Sequence, residues 1–337
     1  QLVILEEFVK GNNVFMSGPG GTGKSYLINV IKQLCLQSKK NFDITAMTGC
    51  AAVIIRGKTI HSWGGTGIIN SNDINHYIKK IIKNKKHMNW IDVDVLIVDE
   101  ISMLSKKSFI ILDKIAKRLR KNDKPFGGIQ LVFSGDFFQL PPVNQNKDDI
   151  DATLFCFEAD IWSETFHTVH NLTKVFRQEN KDFSKLLNNI RVAKVKPSIV
   201  NTLQSRIIPY ENTEIIPTRL YPTNVSVDHI NKIEHEKLSA RSCKTYEVNV
   251  IKPNTEEINN NDISESMIKK LSDDFVKNND PIEIRIGDQV MCTYNISETI
   301  VNGSRGVVVD IEEYPVVKFV NNNRVVMTPI DIFDDNI

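Results

Sequence analysis

Short apolar runs separated by longer amphipathic stretches dominate the first part of the chain. The runs cover residues 14–16, 44–46, 95–98 and 131–133, and apolar positions at helical spacing fill the intervals. Continuous apolar runs of this length are typical of parallel strands that helices cover on both faces. The pattern therefore predicts an α/β fold with a doubly wound parallel sheet.

The pattern changes near the carboxyl end, where short strands with tight turns predict a small β-barrel. The predicted strands are 289–294, 306–309, 316–320 and 324–327, and the predicted turns are 302–303 and 321–323. The stretch before these strands, residues 254–280, is rich in Asn, Asp, Glu and Ser. We interpret it as a surface insertion.

Length and composition limit the possible classes of protein. The chain has 337 residues, 41% of them hydrophobic, so we expect two main domains with smaller attachments. No apolar run reaches membrane-spanning length and no secretory pattern is present, so we expect an intracellular protein without a membrane partner. Five widely spaced cysteines favour a reducing compartment. These features do not distinguish a nucleus, a mitochondrion, a bacterial cytoplasm and a viral replication site.

The net charge of +1 conceals a basic first part of the chain. Residues 1–140 carry 20 Lys and Arg against 11 Asp and Glu, whereas the remainder is acidic. The densest basic run is 79–87, and a second basic set lies around a predicted helix within 106–124. Such runs are usually solvated helix faces, but beside a nucleotide site they favour a polyanion as partner.

Residues 18–25, with the sequence GPGGTGKS, lie between an apolar run and a helical stretch. In this context glycines let backbone N–H groups surround phosphates, and the helix start adds its positive dipole end. We expect Lys24 to reach the outer phosphates and Ser25 to bind Mg²⁺. The motif predicts a nucleoside triphosphate site formed by Gly18, Gly20, Gly21, Thr22, Gly23, Lys24 and Ser25.

Two adjacent carboxylates, Asp99 and Glu100, follow the apolar run 95–98. The carboxyl end of a strand is where ligands bind in open α/β sheets. We expect Asp99 to hold Mg²⁺ through a water molecule and Glu100 to orient or deprotonate the attacking water. Alone, such a pair is most often a strand end, but with a P-loop upstream it indicates nucleotide hydrolysis.

Residues 125–143, with the sequence PFGGIQLVFSGDFFQLPPV, resemble the signature and third motif of the Pif-type (petite integration frequency) DNA helicases of superfamily 1B. Gln1, ten residues before Gly11, matches the adenine-reading glutamine of that family. Other matching segments are 45–52 and 59–63, similar to two DNA-contacting motifs; 175–178, similar to the fourth motif; 221–224, similar to a strand end beside DNA; and 301–308, similar to the barrel insertion.

The resemblance implies two RecA-like domains, the second incomplete here, with a small wedge subdomain and a Src-homology-3-like β-barrel insertion. The expected boundaries are 1–63 and 91–165 for the first RecA-like domain, 64–90 for the wedge, 166–284 for the second RecA-like domain and 285–337 for the barrel region. The implied activity is that of a monomeric ATP- and Mg²⁺-dependent motor that moves 5′-to-3′ on single-stranded DNA. It would unwind duplex or forked DNA in replication, repair or recombination, with the lysine run of 79–87 facing the duplex junction.

The resemblance also implies roles for individual residues. Gln1 would read the adenine, Gln139 would sense the γ-phosphate, and Arg177 would reach the phosphates from the second domain. The implied DNA-binding residues are Thr48, Gly49, His61, Ser62, Thr223 and Asn224. For Trp63, stacking on a base and packing in the core both remain open.

Two motifs of the family's second domain, resembling I-H-K-x-Q-G and A-L-S-R, have no match in these 337 residues. We therefore expect either a fragment of a longer protein, which Gln1 at the first position also favours, or a shortened relative. Two other functions stay open. One is an ATP- and DNA-binding fragment without motor activity, and the other is a P-loop ATPase acting on something other than DNA.

Overall fold

The computed structural model describes residues 1–143, 149–207, 218–247, 281–292, 303–320 and 324–327, together with Ser297 and Ile300. The chain divides into two compact units, Gln1–Ile207 and Ile208–Ile337, called the first and second unit below. The predicted insertion at 254–280, the predicted turn at 321–323 and residue 302 of the other predicted turn lie outside the described residues.

The first unit is built on a sheet of six parallel strands in the order β3-β2-β4-β5-β1-β6. The strands are β1 (Val14–Ser17), β2 (Phe42–Ala46), β3 (Lys58–Thr59), β4 (Val95–Asp99), β5 (Gln130–Gly135) and β6 (Val169–Asn171). Every residue of β4 and β5 is buried, as expected of parallel strands covered on both faces. The predicted α/β class is confirmed.

The described part of the first unit also contains ten α-helices, apart from short 3-10 turns. They are α1 (Leu2–Val9), α2 (Lys24–Gln37), α3 (Gly49–Ile54), α4 (Ile60–Gly64), α5 (Ile74–Lys83), α6 (His87–Asp92), α7 (Lys106–Arg120), α8 (Ile161–Thr165), α9 (Lys181–Arg191) and α10 (Pro197–Gln204). Side chains at several helix starts satisfy free N–H groups, as Asp73 does for α5 and Ser105 for α7.

Two hydrophobic clusters cover the two faces of the sheet. Val14 and Met16 of β1 belong to the cluster formed with α1 and α2, whereas Phe15 belongs to the cluster that contains residues of α4 to α8. Because successive side chains of a strand point to opposite faces, this alternation places the clusters on opposite sides of the sheet. The core therefore holds β1 and β4 rigidly up to their carboxyl ends.

Trp63 belongs to the core. Its side chain is 2% exposed, its ring centroid lies 4.9 Å from that of Trp90, and its Nε1 donates a hydrogen bond to Asp43 Oδ2 at 2.7 Å. The base-stacking alternative for Trp63 is thereby excluded.

The segment 64–90, expected to be a wedge subdomain, shares this core through the buried side chains of Tyr77, Ile81 and Trp90. Lys80 of the basic run donates from Nζ to the Thr66 carbonyl oxygen at 2.8 Å. Lys79, Lys83 and Lys85 are exposed. The part of the lysine run that faces solvent is therefore smaller than the sequence indicates.

The first sheet extends beyond residue 165, the expected end of the first domain. Residues 169–171 pair in parallel with β1, so the strand that precedes Arg177 belongs to the same sheet as the P-loop strand. This strand has only three residues, two of them exposed, and gives no apolar run in the sequence.

The second unit contains α11 (Asn224–Glu236) and two antiparallel sheets. One sheet pairs β7 (Cys243–Tyr246) with β8 (Ile282–Arg285), and the other has four strands in the order β12-β11-β10-β9. These are β9 (Gln289–Met291), β10 (Arg305–Ile311), β11 (Pro315–Phe319) and β12 (Arg324–Val326). Ile300, Val308, Val317 and Phe319 form a small core of their own. This sheet is compatible with the expected barrel, whose closure stays a prediction.

Within the described ranges, no helix combines the length and the apolarity needed to span a bilayer.

Candidate active site

The loop between β1 and α2 has a backbone that only glycine adopts readily. Gly18, Gly21 and Gly23 have φ values of 150°, 80° and 92°. Gly23 is the left-handed cap of α2, and Lys24 is the first residue of that helix. A side chain would be strained at each of these φ values. The loop therefore brings backbone N–H groups together with the N-terminus of α2, the arrangement expected of a phosphate cradle.

The segment that follows β6 lies against this cradle. The Phe176 N–H donates to the Gly21 carbonyl oxygen at 2.7 Å, and the Arg177 N–H donates to the same oxygen at 3.4 Å. A Cβ atom on Gly21 would lie 2.6 Å from the Cβ of Arg177, and one on Gly18 would overlap the Leu172 carbonyl oxygen. The structure thus brings Arg177 to the P-loop from within the first unit.

Gln1 also reaches this loop, although it is the first residue of the chain. Its Nε2 atom lies 2.9 Å from the position that a Cβ atom on Gly23 would take. Gln1 is exposed and sits at the start of α1, a helix whose Ile4 and Phe8 are anchored in the core. The fold therefore places the predicted adenine-reading side chain beside the P-loop.

Lys24 points back into the loop. Its Nζ donates to the carbonyl oxygens of Gly18 at 2.7 Å and Pro19 at 3.2 Å. Burial lowers the pKa of Lys24, although nearby carboxylates oppose this shift. Thr22 is buried and donates to the Pro19 carbonyl oxygen at 2.8 Å, which stiffens the loop, whereas Ser25 is exposed.

The predicted carboxylate pair stands at the carboxyl end of β4. Asp99 is 6% exposed, and its Oδ1 accepts a hydrogen bond from the Glu100 N–H at 3.0 Å. Glu100 is partly buried and has a left-handed backbone, with φ 55° and ψ 41°. Burial and the neighbouring Asp99 raise the pKa of Glu100, while Lys24 lowers it. A partly desolvated carboxylate with a raised pKa is suited to accept a proton.

A third carboxylate, Asp136, lies at the end of the adjacent strand β5. It is 1% exposed and is paired with Arg191 of α9, which donates from Nε to Oδ2 at 2.7 Å and from Nη2 to Oδ1 at 2.6 Å. Burial alone would raise the pKa of Asp136, but hydrogen bonds from Arg191 and the Phe138 N–H outweigh burial and lower it. Asp136 is therefore a buried carboxylate held in its ionised form.

The sequence motifs predict no role for Asp136 or Arg191. Asp136 follows a buried strand just as Asp99 does, so its position at the carboxyl edge was readable from the pattern. Arg191 is 55 residues away from its partner, and no local pattern marks it.

Gln139 is exposed at the end of a loop that begins at Asp136. Its N–H donates to the Asp136 carbonyl oxygen at 2.8 Å, and its Nε2 lies 3.4 Å from Asp136 Oδ2. Phe137, between them, packs against Phe157 with ring centroids 4.7 Å apart. We call residues 136–139 the sensor loop.

The predicted DNA-binding residues of the first unit lie just after β2 and β3. Thr48 accepts a hydrogen bond from the Ala51 N–H at 3.2 Å, and Gly49 is the exposed first residue of α3. His61 and Ser62 lie in α4, where burial lowers the pKa of His61. Because all six strands are parallel, these residues share the carboxyl edge of the sheet with the P-loop.

The remaining predicted DNA contacts, Thr223 and Asn224, belong to the second unit. Thr223 caps α11 by accepting a hydrogen bond from the Ser226 N–H at 3.4 Å, and Asn224 is the exposed first residue of that helix. Their role in DNA binding stays a prediction.

The residues at the carboxyl edge fit Mg²⁺ bound together with a nucleotide. In the described part of the chain, no group of three or more His, Cys, Asp and Glu side chains forms a metal site. Mg²⁺ bound with a nucleotide needs only one or two carboxylates or hydroxyls, because phosphates and water complete its shell. The exposed Ser25 hydroxyl and the Asp99 carboxylate are of the required type.

Comparisons with known proteins agree with this geometry. Residues 3–199 match the family model of the PIF1-like helicases. The chain is 38% identical over 304 residues to ATP-dependent DNA helicase PIF1 of Saccharomyces cerevisiae, a match that covers 89% of this chain and 34% of that protein. It spans between 32% and 39% of the length of three curated relatives that it matches.

Solved structures give the same result. The crystal structure of Pif1 helicase from Candida albicans is similar, with a TM-score of 0.78 and 32% identity, over 96% of this chain and 77% of that chain. A Pif1 helicase from Bacteroides in complex with ADP-AlF3 and single-stranded DNA has a TM-score of 0.58 and 26% identity, over 95% of this chain and 72% of that chain. The RecA-like nature of the predicted fold is thereby confirmed.

Proposed function

This chain belongs to the PIF1-like helicase family, and from that premise we propose that it is an ATP-dependent DNA helicase that moves 5′-to-3′ along single-stranded DNA. It acts as a monomer and unwinds duplex or forked DNA during replication, repair or recombination. The observation that carries the proposal is the meeting of Lys24, Asp99 and Glu100 with a glycine cradle at one edge of the sheet.

ATP is held by the P-loop, with the adenine beside Gln1 and the phosphates at the N-terminus of α2. The loop carbonyl groups that Lys24 contacts are replaced by phosphate oxygens, because an ammonium group binds anionic oxygens more strongly than neutral ones. Ser25 and, through a water molecule, Asp99 would hold Mg²⁺, which would supply charge neutralisation on the transferring phosphoryl group.

Glu100 is the group that orients the attacking water and accepts its proton. Its raised pKa brings the carboxylate closer to the pH at which proton transfer is efficient. Arg177, whose backbone is bonded to the P-loop, adds positive charge to the phosphates. A guanidinium group in this role contributes roughly 10³ to 10⁵ in rate.

Single-stranded DNA crosses the carboxyl edge of the sheet over Thr48, Gly49, His61 and Ser62, with Thr223 and Asn224 as further contacts from the second unit. These hydroxyl, imidazole and backbone groups bind phosphates and sugars and do not read the base sequence. The Bacteroides relative has been solved with single-stranded DNA, which supports this choice of partner.

The test is strand displacement on duplexes with either a 5′ or a 3′ overhang, with Lys24→Ala as the inactive control. We expect unwinding from the 5′ overhang alone. Unwinding only from a 3′ overhang would contradict the proposed direction. ATP-dependent binding of the oligonucleotide without any displacement would instead favour a DNA-binding module without motor activity.

A further inference from the structure

The ion pair between Asp136 and Arg191 connects the sensor loop to α9, a helix without a fully buried residue. None of the 11 residues of α9 is buried. Arg191, its last residue, makes two short hydrogen bonds to the carboxylate of Asp136, in the bidentate geometry that fixes orientation most strongly. The position of the sensor loop and the position of α9 therefore depend on each other.

Arg191 contacts the loop at a second point. Its guanidinium carbon lies 4.5 Å from the ring centroid of Phe138, and that ring is 62% exposed. Arg191 thus contacts both the carboxylate of Asp136 and the ring face of Phe138. Phe137, between them, points into the aromatic cluster that contains Phe15 and Trp162. Three consecutive residues of the loop are fixed from two sides.

Gln139 follows these three residues and is hydrogen-bonded to the first of them, Asp136. Asp136 accepts hydrogen bonds from the Phe138 N–H through its carboxylate and from the Gln139 N–H through its carbonyl oxygen. Burial lowers the pKa of Lys24, and the charge of Asp136 opposes that shift. An Asp136 side chain without Arg191 would be a buried, unpaired charge, so the loop would rearrange to hydrate or neutralise it.

We propose that Arg191 is a positioning residue for ATP hydrolysis, which holds the sensor loop in the single conformation that presents Gln139 at the nucleotide site. This inference rests on the proposed function, because it assigns Arg191 a role through Gln139. Arg191 itself is assigned no contact with the nucleotide or with DNA.

The test combines Arg191→Ala, Arg191→Lys, Gln139→Ala and the double variant with Arg191→Ala and Gln139→Ala. Lys185→Ala is the matched control, because Lys185 is an exposed cation on the same helix. We expect Arg191→Ala to lower kcat for ATP hydrolysis about tenfold to a hundredfold, the cost of a misplaced group, with KM for ATP changed less than about threefold.

The double variant separates positioning from a general structural effect. If Arg191 acts through Gln139, removing Arg191 in the Gln139→Ala background lowers kcat less than about twofold further. Arg191→Lys keeps the charge but not the planar fork, so it restores only a minor part of the activity. The inference would be overturned if the losses of kcat in the two single variants multiplied in the double variant. Full recovery of kcat in Arg191→Lys would overturn it as well.

Amide hydrogen exchange gives a readout that does not depend on activity. We expect Arg191→Ala to speed exchange at the Phe138 and Gln139 amides by about tenfold or more, while the Leu27 amide of α2 is unchanged. Unchanged exchange in the loop, or equal acceleration at Leu27, would overturn the positioning role. If the wild type does not hydrolyse ATP but Arg191→Ala still speeds exchange at the Phe138 and Gln139 amides, the result would contradict the proposed function and not the positioning of the loop by Arg191.

Discussion

Glu100 holds a left-handed backbone at the centre of the proposed chemistry. A side chain at φ 55° and ψ 41° costs roughly 1–2 kcal/mol relative to an ordinary helical or extended conformation. Such strain persists only where the surrounding structure fixes the residue, and it is concentrated at functional sites. Burial and Asp99 raise the pKa of the Glu100 carboxyl, and Lys24 is near enough to oppose that shift.

Replacing Glu100 by glycine or by alanine separates the strain from the chemistry. Both variants lose the carboxylate, so we expect ATP turnover to fall by about 10² to 10⁴ in each. Only glycine relieves the backbone strain, so Glu100→Gly should be more stable than Glu100→Ala by about 1 kcal/mol. Urea unfolding of the two variants measures this difference. Equal stabilities would show that the strain is absent.

His61 makes the stability of the fold depend on pH. Burial lowers its pKa below 6.5, so the folded state favours the neutral ring and the unfolded state binds the proton first. The free energy of unfolding therefore decreases as the pH falls from about 6.5 toward the lowered pKa.

We expect His61→Gln to have a smaller difference in the free energy of unfolding between about pH 5.5 and pH 7.5 than the wild type has. His170, whose pKa burial also lowers, is present in both proteins and cancels in the comparison. Denaturant unfolding at the two pH values is the measurement. A larger pH dependence in the variant would contradict the assigned cause.

At the scale of elements, the P-loop is a packing interface as well as a phosphate cradle. Leu172 lies against Gly18 and Arg177 lies against Gly21, so both glycines are required even before a nucleotide binds. Gly20 differs from them, because a Cβ atom there would meet nothing within 4 Å and its φ is not positive.

This contrast gives a matched pair of variants. We expect Gly21→Ala to destabilise the fold by about 2 kcal/mol or more, since it adds a strained φ to an overlap with the Arg177 Cβ. Gly20→Ala should change stability by less than about 0.5 kcal/mol. Thermal unfolding without nucleotide tests both. Similar losses in the two variants would mean that segment 172–177 does not pack on the loop.

The elements differ in how strongly the amino-acid sequence marks them. The strands β1, β4 and β5 carry apolar runs because they are buried on both faces, and the P-loop and the Asp99–Glu100 pair follow them directly, so sequence reasoning located these parts of the site. The strand β6 has two exposed residues in three, and only its pairing with β1 defines it. Arg191 was missed for the same reason: a contact made across 55 residues leaves no local pattern.

At the scale of the whole molecule, the exposed lysines of α5 and the turn after it are the surface expected to bind DNA. Lys79, Lys83 and Lys85 face solvent, whereas Lys80 is engaged by the Thr66 carbonyl oxygen. Arg118, Lys114 and Lys124 are also exposed. By chain direction, Arg118 and Lys124 lie toward the opposite, amino-terminal edge of the sheet, since α7 runs back from β4 to the start of β5.

We expect the variant with Gln at 79, 83 and 85 to bind forked DNA more weakly, because the lysine run is expected to face the duplex junction. Its plot of log affinity against log salt should be shallower by about 0.9 for each duplex phosphate that the variant no longer neutralises, because fewer counterions are released. The matched variant with Gln at 114, 118 and 124 removes the same charge and should keep the wild-type slope. Equal slopes in all three proteins would show that the exposed lysines at 79, 83 and 85 do not neutralise DNA phosphates.

In the proposed mechanism, the carboxyl edge of one sheet couples ATP hydrolysis to the binding of single-stranded DNA. The most direct measurement is steady-state ATP turnover of this chain with and without a single-stranded oligonucleotide, with Glu100→Gln as the blank. We expect turnover to rise at least about tenfold with DNA and to stay near background in the blank. Turnover at one rate in the presence and absence of DNA, lost in the blank, would contradict the proposed mechanism.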